Sequence, residues 1–259
     1  MLGVARIFWL VWLAASLLPL STSAAELTMG EAIDKAGRQR MLTQRIVKAY
    51  AMMGQDISYR KAKKQLRSGE KLFTKQLAEL QAFEVNSAVS QELERVAALW
   101  KSFRALATKR PERKSAERLR AQAEQLLQAA HQVVLHLEAA SGAKAGRLVN
   151  LSGRQRMLSQ RMGSIYLLRS WGFENPIYEE DYKKAVREFS EALQVLLTAP
   201  ENTPEIDKML RDVEGRWKLF QLSNKMDSGQ FVPTLVTRAL DQILVKMNTV
   251  TGMYAALLK

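Results

Sequence analysis

Most of the chemistry this sequence could perform sits in a decapeptide that occurs twice. Ala36-Gly37-Arg38-Gln39-Arg40-Met41-Leu42-Thr43-Gln44-Arg45 returns 116 residues later as Ser152-Gly153-Arg154-Gln155-Arg156-Met157-Leu158-Ser159-Gln160-Arg161, identical at eight of ten positions. Arginine offers a planar fork of donors that matches carboxylate, phosphate and other flat oxyanions, and Gln44 or Gln160 adds a neutral donor. On a helix, Gly37, Arg40 and Gln44 share one face, while Leu42, Ala49 and Met53 lie nearly opposite and form the expected core stripe. Arg38 and Arg45 flank that stripe, where their stems can pack while the guanidinium groups reach solvent or a carboxylate. Gly153, Arg156 and Gln160 repeat the layout, flanked by Arg154 and Arg161.

A glycine beside an arginine removes side-chain bulk, so a second helix or a small anion can approach the backbone, at a cost of about 1 kcal/mol of helix propensity. If Arg40 and Arg156 face each other ~7 Å apart, they repel by roughly 2 kcal/mol at an effective dielectric of ~20. A monovalent anion between them contributes roughly −9 kcal/mol on the same basis, before desolvation. The alternative is a solvated basic helix with a packing glycine.

Other chemistries lack raw material. The chain contains no cysteine, which removes disulfides, thiolate catalysis, iron–sulfur clusters and cysteine zinc sites. Its two histidines, His131 and His136, are five residues apart and do not share a helix face, so they read as ordinary bundle residues. Glu179-Glu180-Asp181 follows a helix start, where negative charge complements the helix dipole. No nucleophile, base and orienting group occur as a set, so neither an enzyme, a metal nor a cofactor is expected.

The formal charge of +13 is spread along helices, as at Arg60-Lys61, Lys63-Lys64 and Arg113-Lys114. It comes without aromatic interleaving or a nucleic-acid motif, so no nucleic-acid partner is expected. Residues 1–25 read as a signal peptide: Arg6, an apolar run from Ile7 to Leu20, then small residues up to a cut between Ala25 and Glu26. An uncleaved anchor is the alternative, although the run is short for a ~20-residue span. Small anions or acidic envelope polymers are the partners such an exported basic protein would meet.

The elements that must position the two motifs are helices. Beyond residue 25, apolar positions recur every three or four residues and alternating Val/Ile runs are missing, so the fold class is all-α. Breaks fall at Gly54 to Ser58, Glu84 to Ser87, Thr108 to Pro111, Gly172 to Pro176, Ala199 to Pro204 and Asp227 to Pro233. Asn175-Pro176 and Thr203-Pro204 carry helix-start signals. A weaker echo pairs Trp100 and Phe103 with Trp217 and Phe220, and these tryptophans are expected in the core. Two tandem units follow, 26–142 and 143–259, each an up-and-down four-helix bundle. Whether Leu137 to Leu151 runs on as one helix or turns between units stays open.

At Gly37–Arg45 and Gly153–Arg161 the sequence resembles the PilJ-type sensor domain, named for the type IV pilus chemotaxis transducer. That decapeptide is similar in turn to the nitrate-recognition box of the nitrate-sensing domain of NarX-type sensor kinases, where a first-helix arginine from each subunit binds the anion between two bundles. By position, Gly37, Arg40 and Met41, or Gly153, Arg156 and Met157, match that box, and the remaining box residues differ. The resemblance implies a four-helix sensory bundle for each unit, and together with the expected signal peptide and the missing catalytic set it points to a periplasmic or secreted, non-enzymatic sensor of small oxyanions, nitrate or nitrite first. Such a sensor would signal through a membrane receptor or transducer, and homodimerisation is left open. A second reading is an envelope interaction or scaffold protein whose same faces bind a receptor, a pilus component or an acidic polymer.

Overall fold

The computed structural model of the protein describes residues 27–142, 144–225 and 231–258. The expected signal peptide and its cleavage position lie outside the described residues. Eight helices are described: α1 Met29–Gly54, α2 Tyr59–Gln81, α3 Ser87–Ala107, α4 Arg113–Ser141, α5 Lys144–Ser170, α6 Pro176–Leu197, α7 Pro204–Lys225 and α8 Pro233–Ala256. No strand occurs among the described residues. No helix of the described residues is long and apolar enough to cross a membrane.

Local chemistry accounts for the helix ends. Thr28 and Glu31 form a reciprocal capping box that starts α1, a signal that the sequence reading passed over. Asn175 caps α6 by accepting from the Ile177 N–H, with Pro176 in the first turn, and Thr203 accepts from the Ile206 N–H at the start of α7. The open question between Leu137 and Leu151 resolves into a turn. Helix α4 ends at Ser141, and Gly142 adopts φ 60°, a left-handed conformation that glycine takes without a steric penalty.

The two motif helices form the centre. Helix α1 packs against α2, α4, α5 and α8, and α5 packs against α1, α4, α6 and α8. They run in parallel: Gly37 lies against Gly153, and at the far end Gly54 lies against Trp171. The face bearing Gly37, Arg40 and Gln44 is therefore a second buried interface, opposite the Leu42 stripe. That arrangement explains why so few α1 residues reach solvent.

Each central helix has an antiparallel neighbour tied by a tyrosine. Tyr50 in α1 donates to the Arg110 carbonyl and accepts from the Glu112 N–H at the start of α4. Its repeat equivalent Tyr166 accepts from the Val232 N–H at the start of α8. Trp100 stacks on Phe73 at 4.0 Å and donates to Thr74, and Trp217 packs on Phe189 at 4.2 Å and donates to Ser190. Both tryptophans are buried, as core anchors should be.

Candidate functional site

At the α1–α5 crossing, glycine allows the closest approach. A Cβ built on Gly37 would meet Arg40 Nη2 at 3.3 Å and Arg156 Nη2 at 3.4 Å. One on Gly153 would meet the same atoms at 3.5 and 3.2 Å and the Gly37 Cα at 4.0 Å. The bulk missing from the two glycines is thus filled by both guanidinium groups. Arg40 and Arg156 are the two largest fully buried side chains among the described residues, 1% and 0% exposed.

Each arginine reaches across the seam to the other copy. Arg156 Nη1 pairs with Asp34 at 2.6 Å, its Nη2 donates to the Asp34 carbonyl, and Nη1 also donates to Asn248 Oδ1 at 3.4 Å. Arg40 Nη2 donates to the Asn150 carbonyl at 3.3 Å and to Asn150 Oδ1 at 2.8 Å, and Nη1 lies 3.0 Å from His131 Nδ1. Asp34 and Asn150 occupy the same place in the repeat, as do Asn248 and His131. The two half-sites share one hydrogen-bond plan and differ by one charge. Arg156 has a carboxylate, whereas Arg40 has an amide in its place.

The electrostatics follow. Burial, then the cationic neighbours Arg156 and Arg154, push the Arg40 pKa down to about 9, with only Glu138 pulling it back. Glu138 reaches Arg40 through the Asn150 amide, whose Nδ2 donates to Glu138 Oε2 at 2.5 Å. Burial lowers the Arg156 pKa as well, but there Asp34 opposes it directly. His131 falls to about 4, through burial and then the charges of Arg40 and Arg154. It is therefore neutral near pH 7. With Nδ1 accepting from Arg40, its proton belongs on Nε2, which remains a donor.

A cavity of about 240 Å³ between α4, α5 and α6 is lined by Arg40 and not by Arg156. His131, Arg154, Arg161 and Lys184 supply its polar donors, and Leu127, Met157, Leu158 and Ala185 its apolar lining. The acids around it are already bound. Glu188 holds Arg154 at 2.9 Å, Glu124 holds Arg161 at 2.7 Å, and Asp181 bridges Arg120 at 2.5 Å and Arg161 at 3.2 Å. Burial works against the Arg161 charge, but these carboxylates hold its pKa above the usual value.

The remaining motif residues fall into distinct environments. Arg38 pairs with Asp34 at 2.8 Å, so one carboxylate serves two arginines. Gln44 donates to Glu124 and accepts from Ser164, while Gln160 lies 3.5 Å from Asp241. Met41 is in the core, whereas Met157 lines the cavity. On the Arg156 side, Lys48, Gln65 and Asp241 form the polar cluster, with Lys48 directly ion-paired to Asp241. Burial lowers the Lys48 pKa to about 8 against the pull of Asp241. Arg45 is mostly buried and its pKa is lowered by desolvation, with Asp241 opposing.

Sequence reasoning treated the histidines as ordinary bundle residues, and for His131 this is corrected: its ring is a direct partner of Arg40. Asp34 and Asn150 were missed as well, although the repeat register could have flagged them as one position carrying an acid in one copy and an amide in the other. No group of side chains suited to hold a metal occurs among the described residues.

These features, with basic motifs buried on the central seam of paired helices, define an all-α helical-bundle domain. Residues 22–134 and 137–230 both match the family model described as the N-terminal part of type IV pili methyl-accepting chemotaxis transducers, PilJ. The chain belongs to the PilJ family, the sensory domain of chemotaxis transducers. No curated protein and no solved structure matches it.

Proposed function

We propose that the protein is an exported, non-enzymatic sensory protein that captures a small planar oxyanion at Arg40 and signals through a membrane receptor or transducer. One observation carries this reading: Arg40 is a buried cation whose repeat twin is neutralised by Asp34, while Arg40 itself has only Asn150 and His131 and borders a cavity. An anion there supplies the missing charge. Gly37, Gly153 and Arg156 shape the seam behind the site, Met157 and Arg154 border the seat, and Gln44 ties Glu124 in place. Nitrate and nitrite are the first ligands to try, because the motif resemblance points to them.

The test is calorimetric titration of the purified protein with nitrate and nitrite beside an Arg40→Gln variant. Saturable heat in the wild-type protein that disappears in the variant is the expected result. Absence of heat with any small oxyanion, or equal heat in the variant, overturns the reading.

A specific feature also favours the interaction-protein reading. Arg60, Lys63, Lys64, Arg67 and Lys71 line one side of α2 along an open groove of about 420 Å³, a surface suited to an acidic macromolecule. Capture of an acidic polymer that weakens with salt and is lost in Arg67→Glu/Lys71→Glu is expected on that reading. Salt-independent capture, or capture unchanged in the variant, overturns it.

A further inference from the structure

The cavity beside Arg40 is a poor match for a bare inorganic ion. Its volume, about 240 Å³, lies just under the ~300 Å³ at which pockets for drug-sized molecules begin. A four-atom anion would leave most of that space to water. Part of the lining is apolar, with Leu127 from α4, Met157 and Leu158 from α5 and Ala185 from α6, and nitrate has nothing to place against it.

Charge narrows the choice further. The three lining acids, Glu124, Asp181 and Glu188, are each paired with an arginine, so none is left to hold an ammonium group. The buried cation without a carboxylate is Arg40, with the His131 Nε2–H beside it and Arg154 at the half-exposed rim. The lining therefore offers one buried cation without a carboxylate and, beside it, apolar surface on three helices, the remaining Arg161 being held by Glu124 and Asp181.

The position of the cavity also departs from a symmetric clamp. The space directly between the arginines is taken up at the glycine crossing, and neither Arg156 nor Gly153 lines the cavity. At the repeat-equivalent place on α2, the residues matching Lys184, Ala185 and Glu188 are Ser68, Gly69 and Leu72. The arginine there already has Asp34.

Resting on the oxyanion reading above, we infer that the ligand is the carboxylate of a small organic acid with a short apolar body. One molecule binds per chain, its head at Arg40, Arg154 and His131 and its body against Met157 and Ala185.

The test titrates the protein with butyrate, acetate and nitrate by calorimetry. Butyrate is expected to bind at one equivalent and at least tenfold more tightly than acetate, the ratio for two buried methylenes at ~0.8 kcal/mol each. Nitrate is expected to bind no better than acetate. Ala185→Leu, which adds bulk to the apolar part of the lining, should weaken butyrate at least tenfold and leave acetate within threefold. Should Ala185→Leu fail to fold, Arg154→Gln, on a side chain 37% exposed, should weaken butyrate and acetate alike at least tenfold. Equal affinity for butyrate and acetate, tighter binding of nitrate than of butyrate, or indifference of the folded variant overturns this inference while leaving the oxyanion reading in place. Failure of all three anions to bind overturns both.

Discussion

Arg40 and Arg156 have the same sequence neighbours and different energetic roles. Removing Arg156 takes the buried partner from the Asp34 carboxylate and leaves it only Arg38, which is partly exposed; breaking one partner of a buried ion pair costs at most about 3–5 kcal/mol. Removing Arg40 strands only neutral acceptors on Asn150 and His131, at about 1–3 kcal/mol. In urea unfolding, Arg156→Gln is therefore expected to be clearly less stable than Arg40→Gln; equal losses would refute the charge difference between the half-sites. His131 gives a second check. Its pKa falls from 6.5 to about 4 on folding, so the native state binds fewer protons than the unfolded chain between those values. The stability tied to its neutrality is complete above pH 6.5 and declines as pH falls toward about 4. His131→Asn, which installs the residue found at the equivalent Asn248, is expected to flatten that part of the acid limb in a pH series of thermal melts. An unchanged limb would contradict the assignment. These pairings were hard to read from sequence because Arg40–His131 and Arg156–Asp34 join residues far apart in the chain, whereas the arginine faces themselves follow from helical spacing alone.

The helices were the most legible level. Their existence follows from three- and four-residue apolar spacing, and the α6 and α7 starts follow from Asn175-Pro176 and Thr203-Pro204. The environment of the Arg40 face was less so. A helix face carrying Arg40 and Gln44 looks solvated by composition, and only the parallel placement of α5 against it makes it interior. A glycine also sets how closely α8 approaches α1. A Cβ on Gly30, in the first turn of α1, would meet the backbone carbonyl oxygen of Ala255 in α8 at 2.3 Å, and main chain cannot rotate aside as a side-chain tip can. Gly30→Ala is expected to destabilise by about 1–3 kcal/mol despite alanine's better helix propensity. Chemical denaturation measures this, and a neutral or stabilising result would mean that α8 is free to shift away from α1.

Across the whole molecule, the crossed pairing makes an asymmetric demand on its halves. In a symmetric pair of chains ending at Gly142, each Arg40 would meet Asp34 of the partner subunit. In a pair of chains made only of residues 144–258, each Arg156 would meet Asn150 of the partner subunit and both cations would stay uncompensated. Sedimentation velocity at matched concentrations is expected to find the first fragment dimeric and the second monomeric or aggregated. Two monomers, or two dimers of equal strength, would count against the exchange of partners across the seam.

The left-handed turn at Gly142 gives this seam a property that separate subunits lack. Because α4 and α5 belong to one chain and follow each other in it, the second half is always present at the high effective concentration of a tethered reactant, and dilution cannot part the two. On the proposed function, occupancy at Arg40 would then track only how much guest is in solution, at any level of expression. The threshold of the proposed response would be a property of the molecule and not of its abundance.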